Sequence, residues 1–330
     1  MRRLAWLFIV FIAVPLGCEN AAPKAVGLLV GTGASSQKDP QAAAAEAATN
    51  ALRGFGSAKP KLVLVFDQAE AGEAVLRGVN SVFDPNIVFG CESYSPITEE
   101  GNNPRVGVLV IGGDVEVQPA MAKLDNSNDK FTQCGREIGR QIKAAAPAVK
   151  PAGELMILFG SCHEPTDDQL VGGVRAELGD KYPAVGAAVS RGENVYYQGK
   201  VVKGIDVGVV IRGNFRCDFA CKQAQGDGRD KLVSSARDAV AQVRGSSVGS
   251  EPAKASSPAM LFIFDCGGRR GQLGDQLQTE FDEMKKAAGG VKMFGFYGSG
   301  EIGPENDQSP SRGVGYHIVA CSVWPVAPAK

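Results

Sequence analysis

The chain has 330 residues and a formal net charge of −1, with 35 Lys and Arg against 36 Asp and Glu. The basic residues form no block or stripe, which excludes a nucleic-acid partner held by phosphate contacts. An apolar share of 44% supports a real core, and eight cysteines among 330 residues are too few for a disulfide scaffold.

Arg2 and Arg3 precede an unbroken apolar run from Leu4 to Val14 and then Pro15-Leu16-Gly17-Cys18, the layout of an export signal. The run is shorter than the roughly 18 residues that cross a bilayer as a helix, so residues 1–17 read as a removed signal. Leu16-Gly17-Cys18 resembles a bacterial lipoprotein box. Lipidation at Cys18, with residues 19–24 as a tether, then makes the chain an exported, membrane-anchored envelope protein. The alternative is trimming by another peptidase, with Cys18 an ordinary residue.

The remaining chain, about 310 residues, exceeds one ordinary domain and suits two, or a set of repeated units. A short glycine-bearing strand recurs as Val26-Gly27-Leu28-Leu29-Val30, Val106-Gly107-Val108-Leu109-Val110 and Val207-Gly208-Val209-Val210-Ile211, with a looser copy at Tyr316 to Ala320. After each of the first three comes a helical pattern: Pro40 to Leu52 behind an Asp39 N-cap, Asn128 to Ala145, and Arg229 to Arg244. Continuous apolar runs follow at Leu62 to Phe66, Leu155 to Phe159 and Leu261 to Phe264, which predict strands covered on both faces. Second helices are expected over 70–79, 167–178 and 273–288, with Thr166 and Gln169 as a capping box and Gly289 closing the last. The strands at Val88-Phe89-Gly90, Val185-Gly186-Ala187 and Met293-Phe294-Gly295 then lead back to the glycine-bearing strand. The expected fold class is α/β: mixed sheets with helices, built from about three repeated helix-strand-helix-strand-strand units. The stretch 245–258 reads as a flexible linker.

Seven cysteines remain after Cys18. Cys217 and Cys221 lie close together in a stretch, 214–225, that reads as irregular, and are candidates for one bridge. With His163 and His317 as the two histidines and no C-x-x-C pair, a metal site is poorly supplied, and no metal or other cofactor is expected. Cys134 falls on a helical apolar stripe with Phe131, Ile138 and Ile142 and reads as core.

Phe264-Asp265-Cys266-Gly267-Gly268-Arg269, followed by Gly295-Phe296-Tyr297-Gly298-Ser299-Gly300-Glu301-Ile302-Gly303-Pro304, resembles the C-terminal FIST domain. His317 sits where the family's final strand carries a histidine. Leu62 to Phe66 and Gly90-Cys91-Glu92-Ser93-Tyr94-Ser95-Pro96-Ile97-Thr98 are similar to the N-terminal FIST domain. The resemblance implies an N-terminal-like domain over 25–215, a C-terminal-like domain over 216–330, and a sensory module that binds small ligands such as amino acids. FIST domains often accompany kinase or cyclase output domains. None is recognisable here, so an unknown signalling partner is expected to transmit.

Ligands of parallel strand-helix-strand units collect beyond the carboxyl ends of the strands. These ends are the turns at Asp67, 160–164 and 265–270, and the loops after Gly90, Gly186 and Gly295 are expected to face the same way. The candidate ligand-binding residues are Cys91, Glu92, Ser93, Asp265, Cys266, Arg269, Tyr297, Ser299 and Glu301. Arg269, on an exposed turn, is expected to grip a carboxylate in a fork and Glu301 to meet an amine; the alternative is that these two pair with each other. Cys91, Cys162 and Cys266 occupy turn positions where a nucleophile would sit, and His163 follows Cys162. Adjacent residues usually point apart, so no catalytic residue is assigned and the chain is read as a binder and not an enzyme. Three function classes stay open, in this order: an extracytoplasmic small-ligand sensor, a structural or partner-binding envelope lipoprotein, and a cysteine-dependent hydrolase.

Overall fold

Three units of like order follow one another along the chain in the computed structural model. It describes residues 27–327 except 54, 56–57, 69–70, 150, 164, 191–193, 226–227 and 246–256. The signal, Cys18 and most of the expected linker lie outside the described residues.

The first unit runs β1 (Leu29–Ser35), α1 (Pro40–Leu52), β2 (Pro60–Gln68), α2 (Gly72–Asn80), β3 (Val88–Ser93), β4 (Ser95–Thr98) and β5 (Val106–Gly112). Helix α1 starts where the Asp39 carboxylate accepts the amide of Ala42 at 2.6 Å with Pro40 in the first turn, and its alanines bury one face. The second unit runs β6 (Val115–Lys123), α3 (Lys130–Ala144), β7 (Gly153–Gly160), α4 (Thr166–Leu178), β8 (Ala184–Ala188), β9 (Val195–Tyr197), β10 (Lys200–Val202) and β11 (Ile205–Gly213). The third runs β12 (Phe215–Gln223), α5 (Arg229–Gly245), β13 (Met260–Cys266), α6 (Gly267–Leu273), α7 (Leu277–Ala288), β14 (Met293–Gly298), β15 (Glu301–Gly303), β16 (Arg312–Val314) and β17 (His317–Pro325). Gly289 closes α7 in the left-handed conformation, φ 61°.

The sheet order repeats as β1-β5-β2-β3, β6-β11-β7-β8 and β12-β17-β13-β14, with the last two strands of each set parallel and the others antiparallel. The units then exchange strands in a cycle. Strand β4 of the first unit pairs with β14 of the third, β9 of the second with β3 of the first, and β15 of the third with β8 of the second.

Alternation along the inner strands feeds two layers of core. Leu62, Leu64 and Phe66, Leu155, Ile157 and Phe159, and Met260, Phe262 and Phe264 share one central core with residues of all three sheets. Phe66 lies there 5.0 Å from Phe294 and 4.4 Å from Phe296, ring centre to ring centre. The intervening residues Val63 and Val65, Met156 and Leu158, and Leu261 and Ile263 face three separate outer cores under the helices. At each parallel pair the backbones approach so closely that only glycine fits. A Cβ on Gly90, Gly186 or Gly295 would lie 1.8, 1.8 or 1.6 Å from the carbonyl oxygen of Val65, Leu158 or Ile263.

The repeat is real, but its expected starting point is displaced. The strand at Leu29 is an edge strand equivalent to β6 and β12, whereas Val106 and Val207 belong to the return strands β5 and β11, whose counterpart is β17 at the looser copy. The stretch expected to be irregular is largely the regular edge strand β12. Cys217 and Cys221 are both free, and four residues apart on one strand they stand about 13 Å from each other, beyond the reach of a disulfide. The expected capping box does not form: Thr166 lies inside α4, and its hydroxyl donates to the carbonyl of His163.

Candidate functional site

The parallel strands of all three units end on the same side, and the segments leaving them meet in a ring. The amide of Tyr94 donates to the carbonyl of Tyr297 at 2.9 Å, that of Ser190 to Glu92 at 3.2 Å and that of Ser299 to Ala188 at 3.0 Å. Register makes these contacts equivalent: Asp67 pairs with Glu92, Gly160 with Ala188 and Asp265 with Tyr297. The ring is a product of the strand exchange, because each unit reaches its neighbour's last parallel strand there.

Around the ring, Ser93 donates its hydroxyl to the Asp67 carbonyl at 2.9 Å, and the Ser299 hydroxyl lies 3.3 Å from that of Tyr94. Glu301, on the exchanged strand β15, is fully buried; one carboxylate oxygen accepts the amide of His317 at 2.9 Å, and the Cys266 thiol also hydrogen-bonds the carboxyl. Burial holds its carboxyl well above the usual carboxylate range. The Ser190 hydroxyl is buried without a partner. Half-buried Cys266 stands beside Glu301, and burial followed by the Glu301 charge pushes its thiol up to about 11. Cys91 is buried in the central core and Cys162 in an outer one, and burial raises both thiols well above the ordinary range, which suppresses the thiolate that a nucleophile needs.

Behind the ring each unit buries an aspartate at the helix side of its sheet. Asp67 accepts the hydroxyl of Tyr196 at 2.6 Å, Tyr196 arriving on the exchanged strand β9 opposite Gly90 of β3. Asp265 accepts from Arg269 at 2.6 Å. In the second unit the equivalent position is Gly160, and Asp206 of β11 fills the space: a Cβ on Gly160 would lie 1.9 Å from its carboxylate oxygen. Asp67 keeps one carboxylate oxygen without a hydrogen-bond partner, Cys134 and Glu280 hydrogen-bond the carboxyls of Asp206 and Asp265, and burial raises all three carboxyls. Glu92 is buried beside Asp67 and accepts from the side-chain amide of Asn194.

The structure thus gathers Ser93, Cys266, Ser299 and Glu301 near one end, and the backbones of Glu92 and Tyr297 into the ring itself. It does not place Arg269 there. Arg269 is fully buried in α6 and donates to Asp265, Glu280, Ser235 and the carbonyl of Leu232, so the expected exposed fork is spent inside the protein, with partners other than Glu301. The side chains of Asp265 and Tyr297 turn to the same helix layer, where Tyr297 donates to Glu280 at 2.8 Å. Ser190, Tyr94 and Glu280 escaped the sequence reading; the register of the repeat relates Ser190 and Tyr94 to Ser299, whereas Glu280 carries no local signal. Among the described residues no three His, Cys, Asp or Glu side chains are arranged to hold a metal ion, and no helix is long and apolar enough to cross a membrane.

Residues 61–226, half of the chain, match the FIST N domain, and residues 222–304 match the FIST C domain. No curated protein matches by sequence. Among solved structures the chain is similar to a cyanuric acid hydrolase from A. caulinodans, at 10% identity over 91% of this chain and 100% of that one with a TM-score of 0.44. It is also similar to T. maritima PurL complexed with AMPPCP, at 9% identity over 91% of this chain and 72% of that one with a TM-score of 0.30.

Proposed function

The chain belongs to the FIST family, whose domains are associated with sensory signalling and ligand binding, and from that premise we propose an extracytoplasmic sensor that takes a small ligand, such as an amino acid, at the ring of exchanged loops. The observation that supports this reading is the pair of buried polar groups there, the Glu301 carboxyl and the Ser190 hydroxyl, the latter without a hydrogen-bond partner in the protein. A buried polar group without a partner costs about 1–3 kcal/mol, a cost that a ligand's own donors and acceptors would offset. On this reading the protein is a binder without a catalytic residue, held to the membrane by lipid on Cys18, and a partner protein carries the signal onward.

A thermal-shift screen of the mature chain against amino acids and small metabolites tests the binding. A ligand at a hundred times its Kd is expected to stabilise the fold by about 2.7 kcal/mol, and Glu301→Gln or Ser190→Ala to reduce that gain. A panel without any shift, or a shift indifferent to both substitutions, rejects the ring as the site. Mass spectrometry of the mature N-terminus tests the anchor: a lipidated Cys18 is expected, and an unmodified chain beginning elsewhere rejects it.

A further inference from the structure

We propose that Asp265, Arg269 and Glu280 form a single-proton switch that ties the β4–β5 loop of the first unit to helix α7 of the third. Two carboxyls share one guanidinium in a place with no solvent exposure. Arg269 Nε donates to Asp265 Oδ1 at 2.6 Å and Nη2 to Glu280 Oε1 at 3.0 Å. The cluster is neutral only when the carboxyls hold one proton between them, and an uncompensated charge in such a place is strongly unfavourable.

Among the described residues no cation other than Arg269 pairs with either carboxyl. From α5 come the Ser235 hydroxyl and the Leu232 carbonyl, from β14 the Tyr297 hydroxyl, and from β15 the more distant Glu301, whose charge also acts on Arg269. From the β4–β5 loop comes Asn102, and Arg270 lies over the outer side of the Tyr297 ring at 6.0 Å. Burial and then Asp265 push Glu280 up to about 8 while Arg269 pulls it down. The proton therefore resides on the cluster at neutral pH.

Its release is coupled to movement because the same groups join two units. Tyr297 donates to Glu280 and accepts from Asn102 at 3.3 Å, and Asn102 also donates to the Leu277 carbonyl at the start of α7, at 2.8 Å. Arg270 binds Ser95 at the start of β4 and Asn103 of the same loop at 2.9 and 3.0 Å. With the proton gone, the net negative charge is relieved by admitting water where α7 meets this loop. The contact is wired to the ring as well, since the Tyr297 carbonyl accepts Tyr94 and Asp265 accepts the amide of Cys266. The switch stands on these contacts and does not require the ligand-binding reading.

The test compares Tm from about pH 5 to pH 9 for the wild-type chain, Glu280→Gln and Tyr297→Phe, with hydrogen exchange of residues 99–105. A carboxyl whose folded pKa is raised stabilises fully below its unfolded value of about 4.3, and that stability is lost as pH rises through the folded value. The wild-type Tm is expected to fall relative to Glu280→Gln until about pH 8 and then run parallel to it, with loop protection, corrected for the intrinsic pH dependence of exchange, falling over the same range only in the wild type. Tyr297→Phe removes a donor to the charged carboxylate, so its plateau is expected at higher pH. Parallel curves for wild type and Glu280→Gln overturn the proposal. Should Glu280→Gln fail to fold, Tyr297→Phe decides: a Tm lowered equally at every pH, with the plateau unmoved, marks a merely structural cluster.

Discussion

Burial pushes the Asp206 carboxyl up to about 7, while the amide of Ser161, donating at 2.9 Å, pulls it back. Its unfolded value is about 3.9, so the folded protein prefers the protonated form: this stability is complete below pH 4 and is lost as pH rises through 7. The difference is of order 4 kcal/mol at roughly 1.4 kcal/mol per pKa unit. Asp206→Asn keeps the acceptor for Ser161 and cannot ionise, and it is expected to gain on the wild type steadily between pH 4 and pH 7 in urea unfolding. A constant difference across that range would show that Asp206 does not titrate there. Arg269 makes the opposite case, because it cannot shed its charge. Arg269→Ala strands two buried carboxyls and is expected to cost about 3–5 kcal/mol, close to the whole stability of a domain. A variant with the wild-type denaturation midpoint would contradict the buried cluster. That the sequence suggested an exposed fork here has a plain cause: a Gly-Gly-Arg string after a strand reads as a turn, and nothing local announces that Glu280, eleven positions on, closes over it.

At the level of elements, long apolar runs and capping signals carried the reading furthest. Strands β2, β7 and β13 and helix α1 stand where the periodicity and the Asp39-Pro40 pair put them. The exchanged strands did not show, since β4, β9 and β15 span three or four residues each and their partners lie in another unit. Pairing of that kind is set by the assembled sheets and not by local pattern. Strand β12 was obscured differently. Arg216, Asp218 and Lys222 interrupt its apolar residues, as suits an edge strand, and gave the stretch the look of a loop. The strand geometry carries its own check: peptide mapping of oxidised protein without reductant is expected to yield no bridge between Cys217 and Cys221. Recovering that bridge would mean that β12 is not a strand in solution.

For the whole molecule, the cyclic exchange is what converts three similar units into one body with one ring. Each sheet is completed by its neighbour, and the ring amides Tyr94, Ser190 and Ser299 belong to three different units. Repetition was visible in the sequence and pointed to a common end for the loops after Gly90, Gly186 and Gly295; the meeting of Tyr94, Ser190 and Ser299 in one ring depends on the exchange and was not. A ligand seated in the ring must therefore touch all three units at once. Hydrogen exchange of the mature chain, with and without a compound that raises its Tm, measures this directly. Slower exchange is expected in peptides covering 90–95, 186–190 and 295–301 together. Protection confined to one of these segments, or found only elsewhere on the surface, would contradict it.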